Sequence, residues 1–266
     1  MLTIITAIGL LALGGPPGPE AVNDLSPATV VAFQRYVQRV EADFDLRVGG
    51  KQTFLWSDSS PARLARVRRG EVVTERAAGT GPVEVPGGLI HDWIGAIFIP
   101  GVTLNETLAL LQNYDQHKNV YPEVIDSKLV TREREHFVVF LRLRKKKVIT
   151  VVLNTTHDAR YFRLDASRWY SRSHSTRIAE VQNPGERDER ELPPDGGHGF
   201  MWFLNSYWRF AERDGGVYVE CQAVSLSRGI PWILGWLIGP IVNDLPKESL
   251  ASTLAATRAA LAAAAR

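Results

Sequence analysis

The sequence predicts an α+β fold: a curved antiparallel sheet wrapped around a long C-terminal helix, preceded by a helical extension. Three observations predict it. Strand-like segments separated by turn residues fill the stretch from Val124 to Ser227. An Ala-rich segment from about Pro246 to Ala264 then carries Leu250, Leu254 and Leu261 on one helical stripe. Between them lies IPWILGWLIGPI, Ile230 to Ile241, apolar and uncharged, with Trp232 and Trp236 inside it. A bilayer-spanning helix needs about 20 apolar residues, so this run is too short to cross a membrane. It reads as an apolar lip between the last strand and the last helix.

The remaining elements follow from local chemistry. The N-terminus has an apolar run from Ile4 to Leu13 and then a Gly/Pro break. That length suits the core of a signal peptide over residues 1–19, so export to a periplasm or the exterior is expected. The usual positive flank is missing, which leaves two alternatives: a membrane anchor, or a cytoplasmic protein if the segment is not a signal. Residues 20–88 read as the helical extension. Ser26 caps a helix that Pro27 opens, Val30, Phe33, Val37, Val40 and Phe44 recur at three- and four-residue spacing, and Gly49-Gly50 ends it. A second helix runs from Pro61 to Arg69, capped by Ser60 and stopped by Gly70.

The principal domain spans residues 89–266. Leu89 to Gly101 is rich in strand formers and ends in a Pro-Gly turn. Thr103 to Tyr121 reads as one helix, with Thr103 and Glu106 spaced for a capping box and Pro122 closing it. Seven strands are then expected: Ile125–Arg132, His136–Arg144, Val148–Asn154, Ala159–Asp165, Tyr170–Val181, Gly199–Glu212 and Val217–Ser227. Turns are placed at Lys145–Lys147, Thr156–Asp158, Asn183-Pro184-Gly185, Pro193–Gly197 and Asp214-Gly215-Gly216. Such a meander buries one face, and the C-terminal helix is its natural cover. A strongly curved sheet gripping a helix leaves a cavity between them.

Composition narrows the function classes. The chain has 266 residues, 45% of them hydrophobic, and a formal charge of +2, too small to argue for nucleic acid. The single cysteine, Cys221, excludes an internal disulfide and reads as a buried thiol. The six histidines form no close ligand pair, and neighbours such as His91-Asp92 or His157-Asp158 point to opposite faces of a strand. No metal and no cofactor is expected. Nucleophile elbows, phosphate loops and dinucleotide fingerprints are absent from the sequence.

Ligand-binding candidates come from two late strands. On one, Tyr218, Glu220 and Gln222 share a face; on the other, Asn205, Tyr207 and Arg209 do. Two placements stay open for the first set, cavity or solvent. For the second set they are core packing or cavity wall. A few polar groups in an apolar pocket would orient a ligand. Trp232 and Trp236 in the lip suit a gate or a membrane-touching edge. The basic tip Arg142 to Lys147 reads as protection of a hairpin edge, or as a dock for an anionic membrane.

Two stretches carry a family likeness. TLNETLALLQNYDQHKNVYP, from Thr103, and WRFAERDGGVYVECQAVSLSRGIP, from Trp208 to Pro231, together with the element order from Leu89 to Leu261, resemble the START-like (SRPBCC) superfamily of lipid-transfer domains, pollen allergens and polyketide cyclases. The resemblance implies a helix-grip fold with an internal pocket for a hydrophobic small molecule or lipid. Binding or transport without catalysis is the leading expectation. An aromatase/cyclase using Tyr207, Arg209, Glu220 and Tyr218 is the first alternative, and a structural protein with a filled cavity the second.

Overall fold

A computed structural model describes residues 25–147, 149–229 and 232–264, with backbone only for 232–243. The candidate signal segment 1–19, Ile230 and Pro231 lie outside the described residues, as do the side chains of Trp232 and Trp236. Helix α1 (Pro27–Val48) starts where expected, with the Ser26 hydroxyl accepting from the Thr29 amide and proline at its first position. A 3₁₀ turn at Ser57–Ser59 leads into α2 (Pro61–Arg68), capped by Ser60. Beyond these helices, the same region supplies two short strands, β1 (Val73–Arg76) and β2 (Val83–Val85).

The strands β3 (Gly88–Pro100), β4 (Val124–Glu133), β5 (His136–Lys146), β6 (Thr150–Arg163), β7 (Arg168–Gln182), β9 (Phe203–Arg213) and β10 (Gly216–Arg228) complete the main sheet, while the two-residue β8 (Arg190–Glu191) hangs on β7. Their spatial order is β1-β3-β10-β9-β7-β6-β5-β4, antiparallel throughout, with β2 sharing the outer edge of β3. The chain thus meanders from β4 to β10 and closes against β3. The fold is the curved antiparallel sheet with N- and C-terminal helices that the sequence predicts.

Three expectations are corrected. The turn placed at Thr156–Asp158 is absent: β6 runs unbroken, because its register with β5 is continuous from Thr150 to Arg160. The irregularity is a bulge in β7, where Thr176 is left without a partner between Arg177↔Thr156 and Ser175↔His157. The helix over Thr103–Tyr121 breaks into α3 (Leu104–Gln112), a 3₁₀ turn at Tyr114–Gln116 and α4 (His117–Val120). The break turns the Tyr114 hydroxyl to that of Tyr161 at 3.1 Å and lets Asp115 accept from the Leu129 amide at 2.8 Å. Lastly, helix α5 begins at Trp232, so the apolar run is its first turns and no lip precedes it.

The sheet is covered on both faces. One face, called here the grip face, packs on α3, α4 and α5: Trp93, Ile97, Phe137, Val139, Phe210 and Val219 meet Leu108, Tyr121, Leu250 and Leu254. Gly95 permits this approach, since a Cβ there would come within 2.6 Å of Leu254 Cδ1. The outer face carries α1 and the α2 region, with Phe33, Tyr36 and Phe44 against Ile90, Tyr207 and Leu226, and Leu55 and Val67 against Ile94 and Tyr218. Helix α1 therefore lies on the face opposite α5.

Candidate functional site

Strand alternation decides which side chains meet which cover. On β9, Asn205, Tyr207 and Arg209 point to the outer face, and on β10 Tyr218, Glu220 and Gln222 do the same. The structure therefore brings the polar candidates together, but under the N-terminal helices, neither in the grip nor in solvent. Glu220 is fully buried; its carboxylate accepts from the Trp56 and Ser57 amides at 2.7 Å each and from Arg209 Nε at 3.3 Å. Arg209 is also buried and lies 5.2 Å over the Phe44 ring. Gln222 donates to Asp92, whose carboxylate also accepts from the Tyr36 hydroxyl at 2.8 Å. Burial pushes the Asp92 carboxyl above its usual range, against both hydrogen bonds. Tyr207 donates to Glu41 of α1, and Tyr218 is held between Arg68 and Asp214. These groups zip α1 and the 3₁₀ turn to the sheet.

The grip face differs. Its own members of β9, Leu204, Ser206 and Trp208, are only half-buried, although β9 is paired on both edges and their outer-face neighbours are buried. Ser173 and Ser175 of β7 and Ala223 of β10 are half-buried too. Ala223 pairs with Ser206 and Ser206 with Ser173, so these form one row across three strands. Extended outward, the row reaches Trp93 on β3 and Arg76 on β1. The row is accessible over β7, β9 and β10, about 10 Å at about 4.8 Å spacing, and continues to the buried Trp93. Small serines line its floor, and Trp169, Trp208 and Leu204 its walls. The sequence signal for this strip was Ser171-x-Ser173-x-Ser175, small polar residues at period two in an otherwise bulky sheet.

The buried histidines and the cysteine on this side are kept neutral. His91, His117 and His157 are each pushed down to about 4, chiefly by burial, with the Arg76 charge adding to the effect at His91. Burial drives the Cys221 thiol well above its ordinary range, so the thiol is inert. His91 and Asp92 diverge to opposite faces, as do His157 and Asp158, which instead meets His136 at 2.6 Å. Among the described residues no group of three or more His, Cys, Asp or Glu is placed to hold a metal ion, and no helix is long and apolar enough to cross a membrane.

The basic tip rests on α5. Lys147 pairs with Glu248 at 2.8 Å, and Lys145 bonds Ser249 at 3.1 Å and Glu123. Arg142 pairs with Glu189. Beside it an open depression of about 520 Å³ is lined by Pro122, Glu123, Arg144, Lys145, Lys146, Lys147 and Thr150. That depression lies at the charged rim, apart from the strip.

No family model matches the chain, and no curated protein matches it in sequence. Solved structures do. A STAR-related lipid transfer protein from Xanthomonas axonopodis aligns over 69% of this chain and 98% of its own, at 16% identity and a TM-score of 0.44. The Zhui aromatase/cyclase from a Streptomyces species aligns over 66% of this chain and 96% of its own, at 10% identity and a TM-score of 0.42. Human STARD10 aligns over 74% of this chain and 79% of its own, at 10% identity and a TM-score of 0.42. The chain is thus similar to START-type lipid-transfer and aromatase/cyclase structures.

Proposed function

We propose that the protein binds a hydrophobic small molecule or lipid between the grip face and the first turns of α5. One observation carries this reading: a central strand that is sealed on its outer face keeps its grip face half open, at Leu204, Ser206 and Trp208. Protein interiors are close-packed, so accessible side chains in mid-sheet mark space for another molecule. The ligand's affinity comes from apolar burial, about 0.8 kcal/mol per methylene. The apolar opening of α5 is the gate, and export, read from the N-terminal apolar run, places the protein where it meets lipids. With three of its basic residues in ion pairs, the hairpin tip serves as a clamp on α5 more than as a membrane dock. A cyclase built on Tyr207, Arg209, Glu220 and Tyr218 loses its support, because all four belong to the outer-face zip.

The test is ligand capture by the full chain. Mass spectrometry of gently purified protein should detect a bound lipid, and fluorescent fatty acid or sterol should quench tryptophan emission with micromolar or tighter affinity. Absence of both co-purified lipid and probe binding would defeat the proposal.

A further inference from the structure

The outer end of the accessible row holds hydrogen-bond donors without acceptors. Arg76 and Trp93 face each other across β1 and β3, with the guanidinium 4.3 Å from the indole ring. Arg76 Nη1 and Trp93 Nε1 are both buried atoms with no hydrogen-bond partner. Both groups can only donate. Trp93 is 6% exposed, so its N–H is withdrawn from water, which is costly unless something accepts it. His91, 2% exposed and two residues along the same strand face, leaves Nδ1 without a partner while Nε2 meets Ser227 Oγ at 3.1 Å. On α5, Lys247 Nζ lies 5.7 Å from the Trp93 ring. Among the described residues no carboxylate pairs with Arg76 or Lys247; Asp92, next to His91 in the chain, points to the opposite face, and Glu248, next to Lys247, pairs with Lys147.

From this geometry we infer an anion site formed by Arg76, Trp93 and His91, which takes a carboxylate or phosphate oxygen at the end of the accessible strip. A planar guanidinium beside an indole N–H presents donors to one oxyanion, and the charge is answered only by a ligand. The row Arg76–Trp93–Ala223–Ser206–Ser173 then reads as a head-group end followed by a floor for a chain. The ligand class becomes a single-headed anionic amphiphile, such as a long-chain acid or a phosphorylated lipid. This inference rests on the proposed hydrophobic ligand, and the experiment separates the two.

Binding of oleate, oleyl alcohol and inorganic phosphate is measured by calorimetry on the full chain at low salt, for wild type, Arg76→Gln, Arg76→Lys and Trp93→Phe. Oleate should bind at least tenfold tighter than oleyl alcohol. Arg76→Gln should bring that ratio close to one without weakening the alcohol, Arg76→Lys should restore part of it, and Trp93→Phe should reduce it while keeping the aromatic packing. Arg76-dependent binding of phosphate alone also supports the site and identifies a free anion as sufficient; its absence beside a strong oleate preference identifies a lipid head group. Equal affinity for acid and alcohol in wild type, without phosphate binding, overturns the anion site and leaves the hydrophobic ligand standing. If neither oleyl compound binds but phosphate does through Arg76, the anion site survives and the lipid reading falls.

Discussion

The two faces of this sheet are covered by different chemistry. The outer face is sealed under α1 by aromatic stacking, such as Phe33 on Phe203 at 5.2 Å, and by buried charged or polar pairs, Glu220 with Arg209 and Asp92 with Tyr36. The grip face has neutral buried histidines, small serines and leucine contacts, and part of it stays accessible. One face is sealed, and on the proposed reading the other admits a ligand. Buried ionic pairs suit the first task because breaking one strands its partner, which makes partial opening costly.

Acid should separate the faces most strongly. His91, His117 and His157 all lie on the grip side, and each is pushed down to about 4 in the fold. The unfolded chain therefore binds more protons between pH 6.5 and 4, and stability falls as pH drops through that window. At about 1.4 kcal/mol per unit, lowering the pH to 5 costs about 2 kcal/mol per histidine, about 6 kcal/mol in all. Asp92, whose pKa is raised, works in the other direction and returns part of this loss on the outer face. Hydrogen exchange at pH 5 should show α4 and β6 opening before α1; simultaneous loss of protection would erase the distinction.

The outer seal is broken by Glu220→Ala, which strands buried Arg209 and frees the amides of Trp56 and Ser57. A loss of about 3–5 kcal/mol in urea unfolding is expected, with ligand binding by the surviving folded fraction unchanged. On the grip face, Leu254→Ala removes a fully buried side chain and should cost about 2–5 kcal/mol. Ser206→Leu, by contrast, fills the accessible strip and should change stability by less than about 1 kcal/mol while weakening fatty-acid binding tenfold or more in a fluorescence titration. Normal binding by Ser206→Leu would show that the strip is not where the ligand lies.

Much of this architecture was legible from local signals. Ser26-Pro27 and Ser60-Pro61 marked two helix starts, and the Thr103–Glu106 capping box marked a third. The start of α5 was not read, because Gly235, Gly239 and Pro240 look like loop punctuation. Pro231 just before Trp232 is the residue type that opens helices, and it was the signal available there. The polar candidates on β9 and β10 were grouped correctly by face but not assigned to a cover. Period-two alternation says which residues share a side, and only the packing of distant segments says what lies against that side. Arg76 and Trp93 escaped notice for a related reason: they are 17 positions apart and become neighbours only through the pairing of β1 with β3.

Thr176, the residue without a partner in β7, sets the parity of that strand. Before it, odd-numbered residues such as Ser171 and Ser173 face the grip; after it, even-numbered Ile178 and Glu180 do, opposite Thr155 and Leu153. Deleting this one exposed threonine would leave Ser175 opposite His157 and Arg177 opposite Thr156, so Arg177 stays outward and Ile178 inward, and only the bulge and its local bend are lost. A surface residue thus bends the strand and shifts its numbering while its neighbours keep the faces that pairing with β6 assigns them. Soluble expression should survive substitution of Thr176 by serine or alanine and also its removal; loss of expression on removal alone would show that the bend itself is required.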